Sequence, residues 1–289
     1  MSETSRKAGQ QPPVDPVLPG EPLLTPPAPD GPPAAKDRRV LRAVLRWTAA
    51  VVACAAVGAG SAYGITRMER TDVPGLATES DGRWEYPRLT KPPLPSGSPG
   101  PLAEANTGGA HYADLRALVL PAPEGAQEDK ALRGAAGWLA TGDFLAEYRD
   151  KEERAELRQK LVDNGLRHVA ARGWTTKDGT HTRVYLLHFG TAAVTDGLFT
   201  ELAVFSGPTY TVRGTDPFAS GFDEGFAKVP LPDGTGRMAY VELAPGAEQV
   251  RQAYVSAGDV LAVIIQSRKG KAHAVPFQQT VVLQTQLLG

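Results

Sequence analysis

The run GWTTKDGTHTRVYLLHF, residues 173–189, decides how the folded part of this chain is built. As an extended strand, its second half puts Val184, Leu186 and His188 on one face and Arg183, Tyr185, Leu187 and Phe189 on the other. Both faces are mainly apolar, so the strand is central in its sheet and covered on two sides. The preceding run, Leu166 to Trp174, is strand-like as well. Asp178-Gly179 between the two supplies the turn chemistry of a hairpin.

Helical patterns flank this hairpin. Asp143 can cap FLAEYRDKEERAELRQKLVDN as one helix, with Leu145, Tyr148, Leu157 and Leu161 in its apolar stripe and Asn164-Gly165 as terminator. Its middle, Lys151 to Arg158, is dense in both signs of charge and reads as a solvated face, not a carboxylate site. TAAVTDGLFTELAVFS, residues 191–206, is a second helix weakened by Gly197. LRALVL, residues 115–120, stopped by Pro121, reads as a strand, with a short helix as the alternative.

Toward the carboxy terminus, Met238 to Leu243 is a short strand, and Gln249–Val255 and Val260–Ser267 flank a tight turn at Ser256-Ala257-Gly258-Asp259. Pro276 can open a final helix with Phe277, Val281, Gln284 and Leu288 on one face beside Leu287. The fold class that follows is α+β, helices packed on an antiparallel sheet, over residues 106–289.

Ahead of this domain stands WTAAVVACAAVGAGSAYGI, Trp47 to Ile65, nineteen residues without a charge. A helix of that length rises roughly 28 Å, close to the hydrocarbon thickness of a bilayer, so residues 47–66 read as one transmembrane helix. Residues 36–46 form a basic juxtamembrane segment with Lys36, Arg38, Arg39, Arg42 and Arg46 against Asp37. After the span, Arg67 and Arg70 are balanced by Glu69 and Asp72. Positive charge stays inside, which predicts a plasma-membrane protein with a cytoplasmic amino terminus and an extracytoplasmic carboxy-terminal domain. A cleaved signal sequence, a lipobox ending at Cys54 and a buried core helix are the competing readings. Ala56, Gly60 and Gly64 recur every fourth residue of the span, a face on which a second copy could pack to form a homodimer.

Residues 1–35 hold ten prolines and no aromatic residue, the composition of a disordered cytoplasmic tail. Residues 67–105 are a Pro- and Gly-rich tether that would hold the domain off the membrane, with Trp84 and Tyr86 able to pin it to the domain. Cys54, the only cysteine, lies in the span, so the domain has neither disulfides nor zinc thiolate sites. The net charge of −1 gives no reason to expect nucleic acid as a partner.

On the segments 173–189 and 255–288 (VSAGDVLAVIIQSRKGKAHAVPFQQTVVLQTQLL), and on the order of its elements, the chain resembles exported sensor-type domains of actinobacteria. These include the extracellular domain of PknH-like kinases, the LpqN-like lipoproteins and streptomycete single-pass membrane proteins. The resemblance implies an α+β sensor or interaction domain and carries no functional motif. Two departures stand out: the residues ahead of the span are not a kinase domain, and the disulfides of the kinase-type sensor domain cannot form.

No G-x-S-x-G elbow, H-E-x-x-H, P-loop or dinucleotide fingerprint is present, and no cofactor is expected. His181 and His188 point to opposite faces of their strand and cannot share a metal. The segment 207–236 is a long connection with little regular pattern, in which Phe218, Phe222 and Phe226 recur every fourth residue. The three rings either pin the loop to the core or form a hydrophobic recognition rim. The resulting expectation is a non-enzymatic, membrane-anchored extracytoplasmic domain that binds a protein or a cell-envelope ligand. The rival is an envelope-acting hydrolase or transferase, signalled by a nucleophile or clustered carboxylates near His111, His181 or His188.

Overall fold

A computed structural model of the chain describes residues 38–67 and 80–289. The expected tail at 1–35 and the first part of the tether, 68–79, lie outside the described residues. The first unit is a helix, α1 (Arg38–Arg67), which begins within the basic segment rather than at Trp47. Residues 38–64 form one helix long and apolar enough to cross a membrane, and none of its apolar window is buried, as a core helix would be. Ala56, Gly60 and Gly64 are exposed along it, and a Cβ on either glycine would meet nothing within 4 Å.

The second unit contains, in order, α2 (Leu115–Leu118), β1 (Gln127–Asp129), a 3₁₀ turn at Lys130–Arg133, α3 (Thr141–Leu145) and α4 (Lys151–Asp163). The hairpin β2 (His168–Thr175) and β3 (His181–His188) follows, then α5 (Ala192–Leu202) and the small pair β4 (Ala203–Val204) and β5 (Gly207–Pro208). Last come β6 (Ser220–Phe222), α6 (Glu224–Ala227), β7 (Thr235–Glu242), β8 (Glu248–Ala257), β9 (Val260–Lys269) and α7 (Ala274–Leu288). Seven strands form one sheet in the order β1-β2-β3-β9-β8-β7-β6, antiparallel throughout.

The α+β expectation is met, and β3 sits third of seven, with His181 opposite Ser267 and His188 opposite Val260 on β9. Its alternation sorts the core into two layers. Tyr185 and Leu187, followed by Phe189, join Phe144, Leu157, Leu161 and Leu198 of α3, α4 and α5. Val184 and Leu186 join Leu118, Phe277 and Val281 of α2 and α7 on the opposite face. Each fully buried aliphatic or aromatic side chain contributes about 1.5–3 kcal/mol relative to exposure, so this strand stabilises both layers at once.

Several local expectations are corrected. LRALVL is not a strand: the Asp114 carboxylate accepts the Arg116 N–H and opens a single helical turn, which buries Leu115 and Leu118 three apart. The helix drawn from Phe144 to Asn164 is two, α3 and α4, and neither uses Asp143 as its N-cap. Between them the backbone leaves the helix to pair elsewhere, Arg149 N–H donating to Thr211 O at 2.8 Å and Arg213 N–H to Glu147 O at 2.7 Å. The second helix ends at Leu202, and 203–208 turn back as β4 and β5. The segment 207–236 is likewise not patternless, since it carries β5, β6 and α6.

Residues 80–105 contain no helix or strand, as their composition requires, yet they are a strap on the domain and not a free spacer. Trp84 exchanges two backbone hydrogen bonds of 2.8 Å with the Gln279 amide, and the Tyr86 hydroxyl meets Thr280 Oγ1 at 2.9 Å, both on α7. Trp84, Tyr86 and Leu89 pack on the α7-side core, so the compact unit starts before residue 106.

Candidate recognition surface

The three phenylalanines of the sequence pattern fall into three environments. Phe226, on α6, is buried; its ring is edge-on to Phe277 at 6.3 Å, and the Arg237 guanidinium covers its face at 4.1 Å. Phe222, on edge strand β6, is half-buried with its ring 4.7 Å from that of Phe205. Phe218 is fully exposed, at 104% of its reference surface, on a left-handed backbone with φ +61°. Four-residue spacing gathers side chains only on a helix, and a loop, a strand and a helical turn divide this stretch.

Phe218 belongs instead to an apolar tip assembled from three segments. Phe205 and Val204, at the β4–β5 turn, are 67% and 44% exposed. Leu243, 71% exposed, donates its N–H to Ala219 O at 2.9 Å, which sets it beside Phe218, and its side chain lies over Gly221. Five apolar residues from positions 204 to 243 thus share one end of the domain. Only two of them, Phe218 and Phe222, belong to the sequence pattern; Phe205 was hidden in what reads as a helix end.

Next to the tip lies a cleft of about 630 Å³ lined by Arg149, Arg154, Arg213, Thr215, Asp216 and Glu242. Arg149 Nη1 donates to Thr215 O at 2.9 Å and to Asp216 Oδ1 at 3.0 Å. Arg154 reaches only the Tyr148 carbonyl, at 3.5 Å. Beneath the floor, buried Glu147 accepts from the Tyr185 hydroxyl at 2.7 Å and from Arg213 at 2.9 Å, with Arg183 at 3.1 Å. Burial first, then the charge of Glu147, pushes the Tyr185 hydroxyl far up, so it stays a donor. Burial likewise raises the Glu242 carboxyl, whose Oε2 accepts the Val250 N–H.

The histidines separate in a way the sequence could not show. His111 Nδ1 meets Asp259 Oδ1 at 2.7 Å, His188 Nε2 meets Asp259 Oδ2 at 3.1 Å, and His111 Nε2 meets the Leu288 carbonyl at 2.9 Å. Burial alone would raise the Asp259 carboxyl; the hydrogen bonds from both rings outweigh it and hold the group at about 2. Behind this clamp, His188 stacks on His168 and His168 on Trp138. His181 stands apart, its Nδ1 3.0 Å from the Thr175 hydroxyl at an exposed strand end, with no further group orienting its ring. Among the described residues no group of three or more His, Cys, Asp or Glu could hold a metal ion.

A groove of about 810 Å³ runs between the strap at 80–85, the loop 123–126, the β2–β3 turn and residues 271–276. Its central carboxylate, Asp178, is consumed by Thr176 and Thr180, with Arg268 and His273 at 3.6 Å. That carboxylate therefore serves the hairpin turn.

No family model matches the chain, and no curated protein matches it. Among solved structures, it is similar to the extracellular domain of PknH from Mycobacterium tuberculosis, at 12% identity over 45% of this chain and 68% of that one, with a TM-score of 0.31. It is also similar to an uncharacterized protein of Mycobacterium smegmatis, the Rv0999 ortholog, at 10% identity over 58% of this chain and 79% of that one, with a TM-score of 0.25. Likeness at this level carries no argument about ligand or activity.

Proposed function

We propose that this is a single-span membrane protein whose α+β domain lies outside the cytoplasm and binds a cell-envelope ligand or a partner protein without transforming it, as a sensor-type domain does. Phe218 carries the binding half of the reading. A fully exposed phenylalanine on a left-handed backbone strains its φ and gains nothing from burial, and such features gather where recognition repays them. The anchoring half is supported by α1 and by the positive charges preceding its apolar part.

The non-catalytic half is supported by the state of the strongest acid–base cluster. Both oxygens of Asp259 and both ring nitrogens of His111 are already engaged inside the fold, which leaves neither free to move a proton on a substrate.

Site-specific photo-crosslinking tests the reading. A photoreactive residue at position 218 of the full chain in native membranes should give a discrete adduct, and the same residue at exposed Asp196 on α5 should not. Equal labelling at both positions, or none at 218, removes the surface from consideration.

A further inference from the structure

The arginine cleft and the aromatic tip are two halves of one surface, because Thr215 and Asp216 line the cleft on one side and the hollow beneath Phe218 on the other. We propose that this surface docks on a bilayer containing anionic phospholipid, phosphate groups entering the cleft while Phe205, Phe218 and Leu243 enter the acyl region. The proposal rests on the ligand-binding reading above and names its ligand.

Charge decides between a lipid and a protein as the occupant. Three guanidinium groups line the cleft against two carboxylates, and one of these, Glu242, is buried and turned to the Val250 N–H. Arg149 Nη1 donates both to Thr215 O and to Asp216 Oδ1; the ion pair is exposed, and a phosphate accepting two N–H groups at once can displace it. Among the described residues Arg154 pairs with no carboxylate and makes only a long bond to a carbonyl. Arg213 shares Glu147 with Arg183, so two guanidinium groups face one carboxylate and an excess positive charge remains at the floor. Apolar side chains that can insert, set beside surplus arginine, are the two attractions that hold proteins on anionic membrane surfaces. An apolar patch on a protein would use the tip and leave the cleft idle.

The test uses the full chain with Cys54→Ala and Ser206→Cys, an environment-sensitive fluorophore on the new thiol beside Phe205, reconstituted into vesicles. Phosphatidylcholine alone is compared with phosphatidylcholine containing phosphatidylglycerol. A blue shift and quenching by acyl-brominated lipid are expected only with phosphatidylglycerol. The ratio of docked to undocked domain should fall roughly fivefold for Arg154→Gln and again for Arg149→Gln, since each basic group near an anionic surface contributes about that factor. Phe218→Ala should abolish the shift, and the same label at Asp196→Cys should stay in water. Added inorganic phosphate that erased the signal would indicate a free-anion site and overturn the bilayer assignment, as would equal insertion into both vesicle types or insertion into neither. If insertion fails while the crosslinker at position 218 still captures a discrete protein, the ligand-binding reading stands and the lipid assignment alone falls.

Discussion

Gly109 and Gly258 touch backbone to backbone: a Cβ on Gly258 would lie 2.2 Å from the Gly109 carbonyl oxygen, and one on Gly109 would lie 2.9 Å from the Gly258 Cα. Both carry positive φ, +65° and +52°, and Asp259 N–H donates to Gly109 O at 2.9 Å. The segment leading out of the strap is thereby seated on the β8–β9 turn, and His111 two residues later closes the clamp on Asp259.

Gly109→Ala should therefore destabilise the domain by about 2 kcal/mol or more, because the nearest atoms, Ala192 Cβ at 2.7 Å and Gly258 Cα at 2.9 Å, have no rotatable bond with which to swing away. Urea unfolding of the variant measures it. A midpoint equal to that of the parent would mean that the strap is not seated there.

The Asp259 clamp predicts an acid-labile component of stability. Its carboxyl is held at about 2 in the fold against 3.8 for the free group, so the stabilisation is complete above about pH 4 and is lost as pH falls toward 2. The shift is worth about 2 kcal/mol. Unfolding of parent and Asp259→Asn from pH 6 to pH 2 isolates it: the gap between them should shrink by that amount toward acid, and a pH-independent gap would refute the clamp.

Removing the strap tests where the domain begins. A chain starting at residue 106 lacks Trp84, Tyr86 and Leu89 on the α7-side core, and should be less stable than one starting at residue 80 by about 3 kcal/mol or more. Equal thermal midpoints would restore the strap to the role of a free spacer.

The phenylalanines should part company on substitution. Phe226→Ala should cost about 3–5 kcal/mol, the loss of a buried ring. Phe218→Gly should raise stability by about 1 kcal/mol, since glycine adopts the left-handed backbone without strain, while abolishing capture at the surface. Calorimetry and crosslinking on the same variants read both quantities.

Orientation is tested by fusing a reporter after Gly289. Alkaline phosphatase should be active there and a green fluorescent fusion dark; the reverse pattern would place the domain in the cytoplasm.

What the sequence revealed and what it hid follow one physical division. The alternation at Val184–Phe189 was legible because neighbouring residues on a strand must point to opposite layers, a relationship contained within a few positions. The break at 146–150 was not, because it is made by backbone partners at 211–213, and a helical stripe reads the same with or without them. The arginine cleft gathers residues from 149 to 216 and beyond, and the clamp joins His111 to Asp259 and Leu288. Such groupings exist only after the sheet has formed. The phenylalanine spacing did not bring the three rings together because it obeys helical geometry in a segment divided between a loop, β6 and α6.

The strand order has a consequence for how the chain reaches this state. β2 and β3 form one local hairpin and β7, β8 and β9 a local meander, and β3 pairs with β9 to join them. Each half can zip from its own turns on a microsecond scale, but the seam requires closing the long stretch between His188 and Val260 before any contact across it is rewarded. Until that closure β3 and β9 each present a bare hydrogen-bonding edge flanked by apolar faces. The centre of the finished sheet is thus the most exposed and adhesive part of the nascent one, and the interval before the halves meet is when the chain is most open to mispairing with its own copies.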